Sequence, residues 1–174
     1  MQKRLLRWEL IGFAFTGAVG TLLHFVYEWT GGNPLIAAFC AVNESTWEHM
    51  KLLAVPWILW TAVTILIERR ADCAAPRAAG LLTGLILIPA LFYTYTGICG
   101  KSVDVVNVLI FQAAVLAAWL VSRGLQRRGS LSAPLWQVLG ILVQLGAAAV
   151  FAVWTVNPPE LPLFVDPTNG TRGV

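Results

Sequence analysis

Long apolar runs broken by short polar turns set the pattern of this chain. The first run extends from Trp8 to about Trp29. A turn follows at Gly31-Gly32-Asn33-Pro34, then an apolar stretch from Leu35 to Val42 that is too short to cross a bilayer. That stretch reads either as a re-entrant or interfacial half-helix or as the first part of a long bent helix. Ser45-x-x-Glu48 has the form of a capping box and predicts a second spanning helix from about 45 to 67, with Pro56 inside it. Further spans are expected at about 78–98, 104–123 and 134–156, the first of these preceded by a polar loop from Ala71 to Arg77. Each has the roughly 20 apolar residues that a crossing needs. The pattern predicts an all-α integral membrane helical bundle of about five transmembrane helices, with a short re-entrant or interfacial helix before the second. Residues 1–156 form one transmembrane domain, and 157–174, rich in proline and polar residues, form an extracytoplasmic, partly disordered tail.

Composition agrees with a membrane protein. Of the 174 residues, 57% are hydrophobic and 12% charged, about half the charged share of a soluble domain. The apolar run after the basic N-terminus is too long for a signal-peptide core, so it is read as a retained helix. Lys3, Arg4, Arg7, Arg69, Arg70, Arg77, Arg123, Arg127 and Arg128 fall in the loops of one side, nine of the 12 basic residues. Lys51, Lys101 and Arg172 fall outside it. This bias places the N-terminus in the cytoplasm and the C-terminus outside. The net charge of +3 is thereby accounted for and gives no nucleic-acid signal. Cys40, Cys73 and Cys99 stand far apart without a CxxC pattern, so neither a disulfide framework nor a thiolate metal motif is indicated. No internal repeat of the kind built into many transporters stands out.

The polar positions inside this frame are unevenly spread. His24 and Glu28 lie four apart near the outer end of the first helix, with Tyr27 beside them. Glu44, Glu48 and His49 fall at the start of the second, Tyr93, Tyr95 and Thr96 near the end of the third, and Asp104 at the start of the fourth. All these positions gather in the outer leaflet, and the inner half is expected to hold almost nothing ionisable. Ionisable groups at membrane depth mark functional sites by default.

The runs His24-x-x-Tyr27-Glu28-Trp29, Val42-Asn43-Glu44-Ser45-Thr46-Trp47-Glu48-His49-Met50-Lys51 and Phe92-Tyr93-Thr94-Tyr95-Thr96-Gly97 resemble those of a family of small bacterial integral membrane proteins of unknown function. The similarity covers roughly residues 10–125. It implies a multi-helix protein of the bacterial inner membrane and carries over no catalytic residue.

Several chemistries suit the inventory. His24, Glu28, Glu48 and His49 offer ligands to a divalent metal, Zn, Mn or Fe. Glu48 and His49 are consecutive, about 100° apart on a helix, so sharing one ion would require a distorted helix start. With a metal, the reaction class is hydrolysis of a lipid-like ester, amide or phosphoester. Glu44, Glu48 or Asp104 would then serve as catalytic carboxylates, and Tyr93 or Tyr95 would stabilise an oxyanion. Without a metal, Glu44 or Glu48 in low dielectric suits acid–base isoprenoid cyclisation. A small-cation or proton-coupled transporter would draw on Gln112, Gln137 and Gln144 deeper in the membrane, and a homo-oligomer would complete its path. A structural or partner-binding bundle needs only a local partner for each polar group. A metal site requires His24 and His49 to come within coordination distance. The lipid bilayer is the partner common to every reading.

Overall fold

The computed structural model describes residues 2–174. The Lys3 side chain, counted above among the inner charges, lies outside what is described. Six α-helices follow one another: α1 Gln2–Trp29, α2 Pro34–Ala37, α3 Thr46–Glu68, α4 Ala74–Cys99, α5 Asp104–Arg128 and α6 Pro134–Val156. Five of them, all but α2, are long and apolar enough to cross a membrane. Among the described residues there is no strand.

α3 is the central element and packs against α1, α4, α5 and α6. Half of its most apolar window is buried, against 17–33% for the other four spans. Leu53 and Ala54 on α3, Leu81 on α4 and Ala114, Val115 and Ala118 on α5 are fully enclosed in the common core. Small residues let the helices approach. A Cβ on Gly80 would stand 2.5 Å from the Ala118 carbonyl of α5, and one on Gly140 would stand 2.5 Å from the Ala75 backbone of α4. Close backbone approach of this kind is how helices associate where lipid removes the hydrophobic drive.

Helix boundaries follow local chemistry. Ser45 caps α3, its hydroxyl accepting from the Glu48 N–H at 3.3 Å. The capping box is only half formed, because Glu48 does not reach back. The Ser45 N–H is taken by Asn43 Oδ1 instead, at 2.9 Å. Pro56 is accommodated inside a continuous α3. The chain from Ala38 to Ser45 is not helical, so α2 is a separate short helix and not the start of α3.

Three expectations need correction. The stretch from Ala71 to Arg77 is not a loop: a 3-10 turn at Ala71–Cys73 leads directly into α4. Arg77 is therefore buried, and its guanidinium meets Glu9 of α1 at 2.6 Å. It also donates to Thr64 Oγ1 at 2.9 Å and to the Trp60 carbonyl at 3.1 Å. The end of the bundle expected to lack ionisable groups thus holds a closed ion pair. Glu9 alone in an apolar run is costly, and a fully bonded Arg offsets that cost.

The tail is also ordered. A 3-10 turn at Pro162–Phe164 seats Phe164, which is 2% exposed, against Trp47 and Trp154. The chain then turns back, with Val165 bridged to Arg172 and the Val174 N–H donating to the Thr155 carbonyl. Aromatic burial, absent from the local composition, supplies the ordering energy because the partners come from α3 and α6.

Candidate functional site

The site is built on a short loop. Residues 42–45 join the α2 region to α3 and expose Glu44 between two neighbours. Asn43 Nδ2 donates to the Gly173 carbonyl at 3.1 Å, and the Glu44 N–H donates to Asp166 Oδ2 at 3.1 Å. The tail therefore fixes the backbone of this loop. Burial pushes the Asp166 carboxyl up, but bonds from the Thr168 hydroxyl and N–H, the Glu44 N–H and Asn169 outweigh it, holding that group below the ordinary carboxylate range.

Glu44 turns one oxygen to each of two imidazoles. Its Oε1 is 3.4 Å from His24 Nε2 on α1, and its Oε2 is 3.6 Å from His49 Nε2 on α3. The two imidazole rings lie 5.3 Å apart, centre to centre. One ligand atom from each of the three residues lies within 4.8 Å of the others. His49 Nδ1 is 2.9 Å from the Ser45 carbonyl. A carbonyl only accepts, so Nδ1 carries a proton, and Nε2 is the nitrogen turned toward Glu44. Such a carbonyl brace is the usual support behind a metal-binding imidazole.

The spacing is informative. A charge-assisted N–H···O bond is about 2.7–2.9 Å long, shorter than either contact here. Two ligands each about 2.1 Å from a tetrahedral ion are about 3.4 Å apart. The donor set of two imidazoles and a carboxylate is one that zinc and other divalent first-row ions accept. The described residues His24, Glu44 and His49 could therefore hold a metal.

A cleft adjoins the three residues. It has one lobe of about 290 Å³ and another of about 390 Å³. Glu44, His49, Asp104, Asn107, Phe111 and Thr168 line both. Asp104 is the first residue of α5 but does not cap it; Val103 holds the cap position. The Asp104 carboxylate is exposed and has no hydrogen-bond partner among the described residues.

Other predicted residues lie elsewhere. Glu48 is 1% exposed and does not share an ion with His49. The turn of helix between neighbours sends it inward, where it meets the fully buried Lys51 at 2.6 Å. Its remaining capacity goes to the Val42 N–H and the Thr155 hydroxyl, each at 3.1 Å. Glu28, one turn beyond His24, points outward at the exposed end of α1 and is not in the ligand group. The Tyr95 hydroxyl donates to Asn107 Oδ1 at 2.5 Å and accepts from the Val103 N–H at 3.0 Å, so it braces the α4–α5 turn. Tyr93 faces a separate shallow groove with Glu160 and Arg172. Gln137 accepts from the Ala75 N–H and Gln144 donates to the Ala74 carbonyl, so both tie α6 to the start of α4. Asn107 and the tail residue Thr168 were not foreseen. Asn107 stands three residues after Asp104, on the same helix face, which is a readable signal. Thr168 had none.

The chain belongs to a family of unknown function, DUF6512, whose profile matches residues 1–174. No curated protein matches it, and no solved structure does.

Proposed function

We propose that this member of a family of unknown function is a divalent-metal-dependent hydrolase of the bacterial inner membrane, acting on a lipid-like ester, amide or phosphoester. The observation that supports this reading most is the pairing of two imidazole nitrogens with the two oxygens of one carboxylate at 3.4 and 3.6 Å, beside a cleft. The charge bias of the loops favours an inward N-terminus and a site in the outer leaflet.

His24, Glu44 and His49 would hold the ion. Bound there, it would lower the pKa of a water toward about 7 and polarise the acyl oxygen. Asp104, unpaired in the same cleft, is the base. It replaces Glu48, whose oxygens are committed to Lys51, Val42 and Thr155. For an ester or amide, the water oxygen forms the new bond to the acyl carbon. One proton passes to the Asp104 carboxylate and from there to the departing alcohol or amine. The acyl C–O or C–N bond breaks with its electron pair on that heteroatom. Asn107, whose amide donates one N–H to Ser102 Oγ at 2.9 Å, has its second N–H left for the acyl oxygen, in place of the tyrosines.

The test is turnover of fluorogenic acyl-ester lipids by purified protein before and after chelation. Activity should vanish with the chelator and return with Zn, Mn or Fe. Asp104→Asn should lower kcat by about 10²–10⁴-fold, the usual worth of a general base, with metal content retained. Turnover indifferent to both the chelator and His49→Ala would refute the reading.

A further inference from the structure

The cleft has two apolar arms that meet at the ligand group. One lobe reaches Thr21 and Phe25 of α1, Leu52 of α3 and Val108 of α5. The other reaches Ile88 and Phe92 of α4, Ile110 of α5 and Pro167 of the tail. Phe111 stands at the junction and lines both. The polar residues common to both lobes are Glu44, His49, Asp104, Asn107 and Thr168, so polarity concentrates where the arms join.

The two lobes differ in access. The first opens between α1 and α5, where Phe25 is 43% and Val108 52% exposed on the apolar exterior of the bundle. The second is backed by Ile88, 4% exposed, and covered by the tail at Pro167. The first lobe thus has an apolar mouth on the exterior of the bundle, formed by Phe25 and Val108.

Charge narrows the class further. Among the described residues that line the cleft there is no lysine or arginine, while Glu44 and Asp104 are both present. A phosphate-bearing lipid would find only the bound ion to offset its charge, beside two carboxylates and no lysine or arginine. A neutral acyl junction needs only a metal and an amide N–H.

We propose that the cleft seats a neutral two-chain lipid whose ester or amide junction rests at His24, Glu44 and His49, one arm in each lobe, and that the lipid enters sideways between α1 and α5. The assignment of the junction to these residues rests on the hydrolase reading; the seating of the arms does not. Hydrolysis at the junction then leaves one chain on the acid and the other on the alcohol or amine, which accounts for two separate apolar arms.

The experiment is photo-crosslinking of the full chain, loaded with zinc, in phosphatidylcholine nanodiscs. The probe is a diacylglycerol with a diazirine at the end of one acyl chain, and adducts are mapped by peptide mass spectrometry. Adducts should fall on peptides holding Phe25 and Val108 and on those holding Ile88 and Phe92. Val108→Trp adds bulk at an exposed position outside the core. It should cut labelling at Ile88 and Phe92 at least tenfold while circular dichroism and zinc content stay unchanged. A phosphatidylglycerol carrying the same diazirine should label the covered lobe at least tenfold less. Adducts spread evenly around the belt, including Leu142 of α6, would overturn the proposal. So would undiminished labelling of the covered lobe in Val108→Trp, or equal labelling by phosphatidylglycerol. Labelling of both lobes in protein that holds no zinc would support the lipid seat and overturn the metal reading alone.

Discussion

Replacing Lys51 by methionine gives the sharpest test of how the site is supported. The ammonium is fully enclosed, and its hydrogen-bonding capacity is filled by the Ala37 carbonyl at 2.7 Å, Thr155 Oγ1 at 2.8 Å and Glu48 at 2.6 Å. These contacts tie the α2 region and α6 to the first turn of α3. Methionine keeps most of the volume and removes the charge. The Glu48 carboxylate then stays buried with only the Val42 N–H and the Thr155 hydroxyl. Breaking a buried pair by removing one partner costs about 3–5 kcal/mol, because the other charge remains without compensation. Removing both charges, in Lys51→Met with Glu48→Leu, abolishes that residual charge. It leaves the Ala37 carbonyl and Val42 N–H without partners, at about 1–3 kcal/mol each if no water reaches them. The double variant should therefore be no worse than the single, and the two costs should be far from additive. The assay is equilibrium unfolding by SDS in mixed micelles, followed by tryptophan fluorescence. Because Ala37 and Val42 flank the loop that presents Glu44, Lys51→Met should also weaken zinc binding. A single variant within about 1 kcal/mol of wild type, well below the penalty expected for an unpaired buried charge, would refute the reasoning. A double variant equal to the sum of the singles would do the same.

Three further outcomes are expected. Gly140→Ala places a Cβ 2.5 Å from the Ala75 backbone and should cost about 1–3 kcal/mol by overpacking, whereas Gly146→Ala meets nothing within 4 Å and should be neutral or stabilising in the same unfolding assay. Phe164→Ala, at a site 2% exposed, should cost about 3–5 kcal/mol of tail docking, read as faster hydrogen exchange across residues 157–174 with α4 and α5 unchanged. Asp166 adds to that docking with a definite sign. Its folded pKa is depressed, so its contribution is complete at neutral pH and is lost only as pH falls through that depressed value. Tail exchange already accelerated at mildly acidic pH would contradict this.

The spans were legible because apolar length is a strong signal; the last helix begins and ends where the run from Pro134 to Val156 does. The Ser45 cap was legible for a similarly local reason. What composition hid were partners distant in sequence. Glu9 and Arg77 are 68 residues apart, and only the packing of both α1 and α4 against α3 brings them together. The tail was misjudged for the same reason, since Phe164 finds its aromatic neighbours on α3 and α6. In the candidate site, His24, Glu44, His49 and Asp104 were all singled out. The distribution of roles between Glu44 and Glu48 was not readable, although the i, i+3 spacing of Glu48 and Lys51 was already a sign of an internal ion pair.

The most direct measurement is elemental analysis of detergent-purified wild type beside the His24→Ala, His49→Ala double variant, with unfolding followed in parallel. The account predicts one divalent transition metal per chain in the wild type and none in the double variant, with the bundle still folded. Metal-free wild type that takes up no zinc on dialysis, or a double variant that keeps its metal, would contradict it.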